Sequence, residues 1–70
     1  MMTRKDYVAT ANILADAIAD AKAQLNENSK ELFFALENVQ YIAEKFAEYF
    51  VNDNARFDED RFFEAIWKEN

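Results

Sequence analysis

An all-α fold is what this sequence predicts: an antiparallel helical hairpin closed by a short third helix, an arrangement compatible with a homodimeric bundle. Two apolar seams and two asparagine-rich breaks carry that expectation. Leu32, Leu36, Val39, Ala43, Phe46 and Phe50 recur at alternating spacings of four and three, the period of one helix face. Tyr7, Ala11, Leu14, Ile18, Ala21 and Leu25 do the same one segment earlier. Asn26-Glu27-Asn28 and Asn52-Asp53-Asn54 interrupt the periodicity, in a chain with no Gly and no Pro to do so. The chain reads as a single helical domain over 1–70, with helices at about 4–25, 29–51 and 59–68.

The first helix opens at Thr3, the expected N-cap, with a hydroxyl suited to a first-turn amide. Asp6 favours the positive end of the helix dipole, whereas Arg4 and Lys5 sit against it. Alanines 9, 11, 15, 17, 19, 21 and 23 give this helix high intrinsic propensity and let a neighbour approach closely. Asp16 and Asp20, four apart on its outer face, weaken it slightly and offer too few ligands for a divalent ion. At the first break, Asn28 with Glu31 matches a capping box and Ser29 is an equally good N-cap. So short a connection makes the two helices antiparallel neighbours.

The central helix is the longest apolar element. Ala35, Ile42 and Ala47 widen its seam into an arc able to contact two neighbours at once. At about 100° per residue, Phe34 falls opposite that arc, near Tyr41 and among Glu37, Asn38, Glu44, Lys45 and Glu48. An aromatic on a polar face is more informative than one in a core. It is either lapped by solvent, covered by the third segment, or a contact for another molecule. Glu37, Glu44 and Glu48 run along the same side as an acidic stripe, which as a rule is a solvated face.

Asn52-Asp53-Asn54 is expected to end this helix, Asn being second to Gly in the left-handed conformation that closes helices. Asp58 then caps the third, with Glu59 and Asp60 in its first turn. Phe57 before the cap and Phe62 at the fourth helical position match a hydrophobic staple. Phe62 and Ile66 share one face, Phe63 and Trp67 an adjoining one, before a frayed Lys68-Glu69-Asn70. A helix this short must dock on the hairpin to persist.

Composition bounds the chemistry. Seventy residues with no Cys and no His leave no disulfide, no thiolate zinc site and no common general base near neutral pH. Without Gly there is no phosphate-cradling loop. Asp53, Asp58, Asp60 and Glu64 lack the ligand spacing of a calcium loop and read as helix-start chemistry. No enzyme activity, cofactor or metal is expected. No apolar run approaches the ~18 residues of a membrane span, and no basic-then-apolar leader opens the chain. No membrane association is expected, and the expected location is the cytoplasm of a bacterial host cell. With 14 acidic and 8 basic residues the net charge is −6. That charge disfavours direct nucleic-acid binding and suits a basic protein partner, or a mimic of nucleic acid; it also keeps an apolar-rich chain soluble.

Two patches carry a resemblance. Thr3-Arg4-Lys5-Asp6-Tyr7 and Asn54-Ala55-Arg56-Phe57-Asp58, followed by Arg61-Phe62, resemble the opening and ending of small uncharacterised proteins encoded by bacteriophages and prophages. Ala55 stands where that pattern often has Pro, and the Ala-Cys pair often seen at the end is missing. The matched residues cover about a fifth of the chain. The resemblance implies a small cytoplasmic protein made during infection or from a prophage, and carries no activity across. Read physically, Arg56 and Arg61 are placed to pair with carboxylates such as Asp53 or Glu64.

The leading expectation is a non-enzymatic protein-binding module that modulates or inhibits a host or defence protein. Phe34, Tyr41, Glu37, Glu44 and Glu48 are its candidate contact residues. The alternative is a structural, oligomerising subunit whose aromatic surface is buried between copies. A third reading, nucleic-acid binding through Arg4, Lys5, Arg56 and Arg61, stands against the net charge.

Overall fold

A computed structural model describes residues 3–68 as three helices: α1 (Arg4–Gln24), α2 (Lys30–Asp53) and α3 (Glu59–Trp67). Among the described residues there is no strand. At 1.5 Å per residue α2 is about 36 Å long, so this one helix sets the long dimension of a 39 × 17 × 15 Å molecule. α1 and α2 form the antiparallel hairpin, and α3 packs back mainly on α1 and less on α2. Glu69 and Asn70 of the expected frayed end lie outside the described residues.

Each helix start uses a side chain for an otherwise orphaned amide. The Asp6 carboxylate accepts from the Thr3 backbone N–H at 2.9 Å and from its hydroxyl at 3.2 Å. Ser29 caps α2, its hydroxyl accepting from the Leu32 N–H at 3.1 Å, and Asp58 caps α3 by accepting from Arg61 N–H at 3.1 Å. The same carboxylate meets the Arg61 guanidinium at 3.9 Å, so Arg61 turns to its own cap.

The left-handed residue expected after α2 does not occur. Asn54 is extended, at φ −149° and ψ 108°. It closes the helix differently: its N–H donates to the Phe50 carbonyl at 2.8 Å, and its side-chain oxygen accepts from the Arg56 N–H at 3.0 Å. Asn26 makes the matching turn between α1 and α2, its side chain accepting from the Asn28 N–H at 3.2 Å. Asparagine here bends the chain through its amide oxygen, without an unusual backbone angle.

The core follows the two seams in large part. Ala11, Leu14 and Ile18 of α1 are buried, as are Leu32, Ala43, Ala47 and Phe50 of α2, and Phe62 and Ile66 of α3. Tyr7, Leu36, Val39, Phe57, Phe63 and Trp67 are half-buried against the same core. Phe50, only 1% exposed, is the hub of an aromatic cluster. Its ring lies 4.8 Å from Tyr7, 5.3 Å from Phe57 and 5.6 Å from Phe62, measured between centroids. Phe57 and Phe62 are themselves edge-to-face at 5.4 Å, which is the staple in place. A single hydrogen bond from Trp67 Nε1 to Gln40 Oε1, 2.7 Å long, ties the end of α3 to the middle of α2.

Two members of the central apolar arc are not core. Phe46 is 39% and Ile42 44% exposed, although both were expected to pack inward. The arc is wide enough for two neighbours, and α1 with α3 covers only the edge that carries Ala47 and Phe50. The Ile42 edge points to the opposite face of the hairpin, where no third element lies.

Candidate functional site

The five candidate contact residues all reach solvent. Phe34 is 57% and Tyr41 60% exposed, and Glu37, Glu44 and Glu48 are exposed with them on α2. α3 does not cover Phe34. It meets α2 at Phe50 and Gln40, on another side of the helix. The edge therefore combines two large rings with three carboxylates, all carried on one rigid helix rather than on a loop.

Local contacts organise these rings without burying them. Phe33 packs edge-to-face on Phe34 at 5.7 Å and is itself 58% exposed. Near the middle of α2, Lys45 Nζ stands 5.4 Å from the Tyr41 ring centroid, a cation–π contact of about 0.5–1 kcal/mol at an exposed site. This contact places one cation amid the acidic stripe. The pairing was open to sequence reasoning, since Tyr41 and Lys45 are four apart on a helix.

The cationic residues are distributed differently from the acidic ones. Arg4, Arg56, Arg61 and Lys68 line one groove of about 610 Å³ between the start of α1 and α3. They are four of the eight Lys and Arg of the chain. Tyr7, Phe57 and Phe62 form the apolar lining, and Asp58 and Glu64 stand among the cations. Arg4, Arg56 and Arg61, suspected together from sequence, are thus neighbours in space, while Lys5 is not among the groove residues. The two carboxylates balance part of the charge, so the groove is mixed in sign rather than a phosphate-binding track. Tyr7 also contributes a buried hydroxyl with no hydrogen-bond partner, at the base of the aromatic cluster.

Residues that sequence reasoning missed lie on the open side of the hairpin. Tyr49 is 60% exposed, alongside Ile42 and Phe46. The signal was present in α2: Tyr49 follows Ala35, Val39, Ile42 and Phe46 at the same four-three spacing as the buried seam. Two seams on one helix were merged into a single wide arc.

Among the described residues no three Asp, Glu, His or Cys side chains come together in a way that could hold a metal ion. No described helix is long and apolar enough to cross a membrane. A scan against protein-family models finds no match, and neither does a search of curated proteins or of solved structures.

Proposed function

We propose that this chain is a small protein-binding module that docks on a basic protein surface through the exposed edge of α2. In phage terms it modulates or inhibits a host or defence protein, occupying a site that otherwise meets nucleic acid or another acidic partner. The observation that carries this reading is the pairing of Phe34 and Tyr41, both more than half exposed, with Glu37, Glu44 and Glu48 on one helix. Aromatic side chains supply contact area at low entropic cost, and flanking carboxylates select a partner of opposite charge. The net charge of −6 adds long-range attraction toward such a partner.

The test is capture of a partner from a bacterial host lysate by the tagged chain, with Glu37→Lys/Glu44→Lys/Glu48→Lys as the comparison. A basic protein retained by the wild type, released as salt is raised and lost with the charge-reversed variant is the expected result. Retention by the variant, with its helicity intact by circular dichroism, overturns the assignment of this edge.

A further inference from the structure

We propose that the open face of the hairpin is a self-association surface, on which a second copy of this chain packs along Val39, Ile42, Phe46 and Tyr49 of α2. This is a different surface from the acidic edge and does not depend on it. Its first support is the residue pattern. Ala35, Val39, Ile42, Phe46 and Tyr49 repeat at four-three-four-three, the spacing with which one helix meets another in a bundle. Ile42, Phe46 and Tyr49 are 44, 39 and 60% exposed, so this seam is apolar yet unpaired within the chain.

The geometry explains why it stays open. α3 lies across one side of the hairpin, bonded to Gln40 through Trp67 and packed on Phe50 through Phe62. The Ile42 seam is on the other side of α2.

Charge and area identify the occupant. No charged residue falls on the seam between Ala35 and Tyr49; Glu31 and Asp53 stand only at its ends. Two copies of a chain of net charge −6 can therefore meet there without opposing carboxylates at the centre, and a basic partner would find nothing to recognise. The exposed parts of Ile42, Phe46 and Tyr49 amount to on the order of 300 Å² per copy. That is somewhat over a third of one partner's share of about 800 Å² in a standard interface, so residues flanking the seam have to supply the rest. A dimer also answers the thin core: among the described residues, three of the nine buried side chains are alanines. With no disulfide in 70 residues, association is a usual route to added stability.

Sedimentation equilibrium on the full chain up to about 0.5 mM tests this. The expected mass is twice 8.2 kDa, with a melting temperature that rises with concentration. Ile42→Glu and Tyr49→Glu should each weaken the dimer by about tenfold or more, whereas Phe34→Ala/Tyr41→Ala leaves it unchanged. Tyr49 is 60% exposed, so its variant decides the matter even where Ile42→Glu loses helicity. A wild-type chain that stays monomeric throughout the range overturns the proposal. So does a dimer that survives both glutamate variants, or one abolished by Phe34→Ala/Tyr41→Ala alone.

Discussion

Phe50 and Phe34 are the same residue type on the same helix, and they do opposite things. Phe50 is 1% exposed and surrounded by Tyr7, Phe57 and Phe62; Phe34 is 57% exposed, with its ring against that of Phe33. Neither helix propensity nor composition separates them. What does is the helix face each occupies: Phe50 lies on the seam that faces Tyr7 of α1 and Phe62 of α3, and Phe34 lies opposite it. Burial at the first position supplies the stability from which the second is free to act.

Breaking the buried side of this comparison should have the largest effect. Phe50→Ala removes the hub of the cluster and should cost about 3–5 kcal/mol, comparable to all the net stability of so small a domain. Loss of helical circular dichroism at 25 °C is the expected outcome. The attachment of α3 is the next test. Asp58→Ala removes the cap from Arg61 N–H, and Gln40→Ala removes the acceptor of Trp67 Nε1. Each should cost about 1 kcal/mol in urea denaturation. In a double-mutant cycle the two should be close to additive, because they act at opposite ends of α3.

A substitution in the opposite direction sharpens the same contrast. Tyr7 places a hydroxyl in the cluster where it meets no partner. Tyr7→Phe should therefore leave the fold intact and stabilise it by about 1 kcal/mol, read from the urea midpoint. A loss of stability would mean that the hydroxyl is satisfied in solution. The smallest effect belongs to the exposed edge: reversing Glu37, Glu44 and Glu48 should leave the thermal midpoint nearly unchanged while altering partner capture.

Helices, caps and hairpin were legible in the sequence because each rests on local chemistry. Ser29 and Asp58 were identifiable as caps from their residue type and position, and Phe57 with Phe62 as a staple from their spacing. The seam of α1 was legible because Ala11, Leu14 and Ile18 form one narrow stripe, covered by α2 and α3 together. The central helix was not fully readable, since its apolar arc is wider than the two helices available to cover it. Periodicity told that Ile42 and Phe46 share a helix edge with the core. Which edge α3 would cover depends on a nonlocal choice, marked only by contacts such as Trp67 to Gln40, 27 residues apart. The Asn54 turn was misassigned for a related reason: asparagine has two ways to end a helix, and its residue type does not select between them. At the candidate site, position opposite the seam put Phe34 and Tyr41 on the polar face but left open whether α3 covers Phe34, while the spacing of four already allowed the Lys45 contact on Tyr41.

The most direct test of the binding edge measures stability and capture on one variant, Phe34→Ala/Tyr41→Ala. With both rings exposed, the double variant should melt within about 0.5 kcal/mol of the wild type. It should also fail to retain the basic protein that the wild type captures from host lysate. Retention of that protein at wild-type strength by a fully folded double variant would contradict the assignment of Phe34 and Tyr41 as the contact surface.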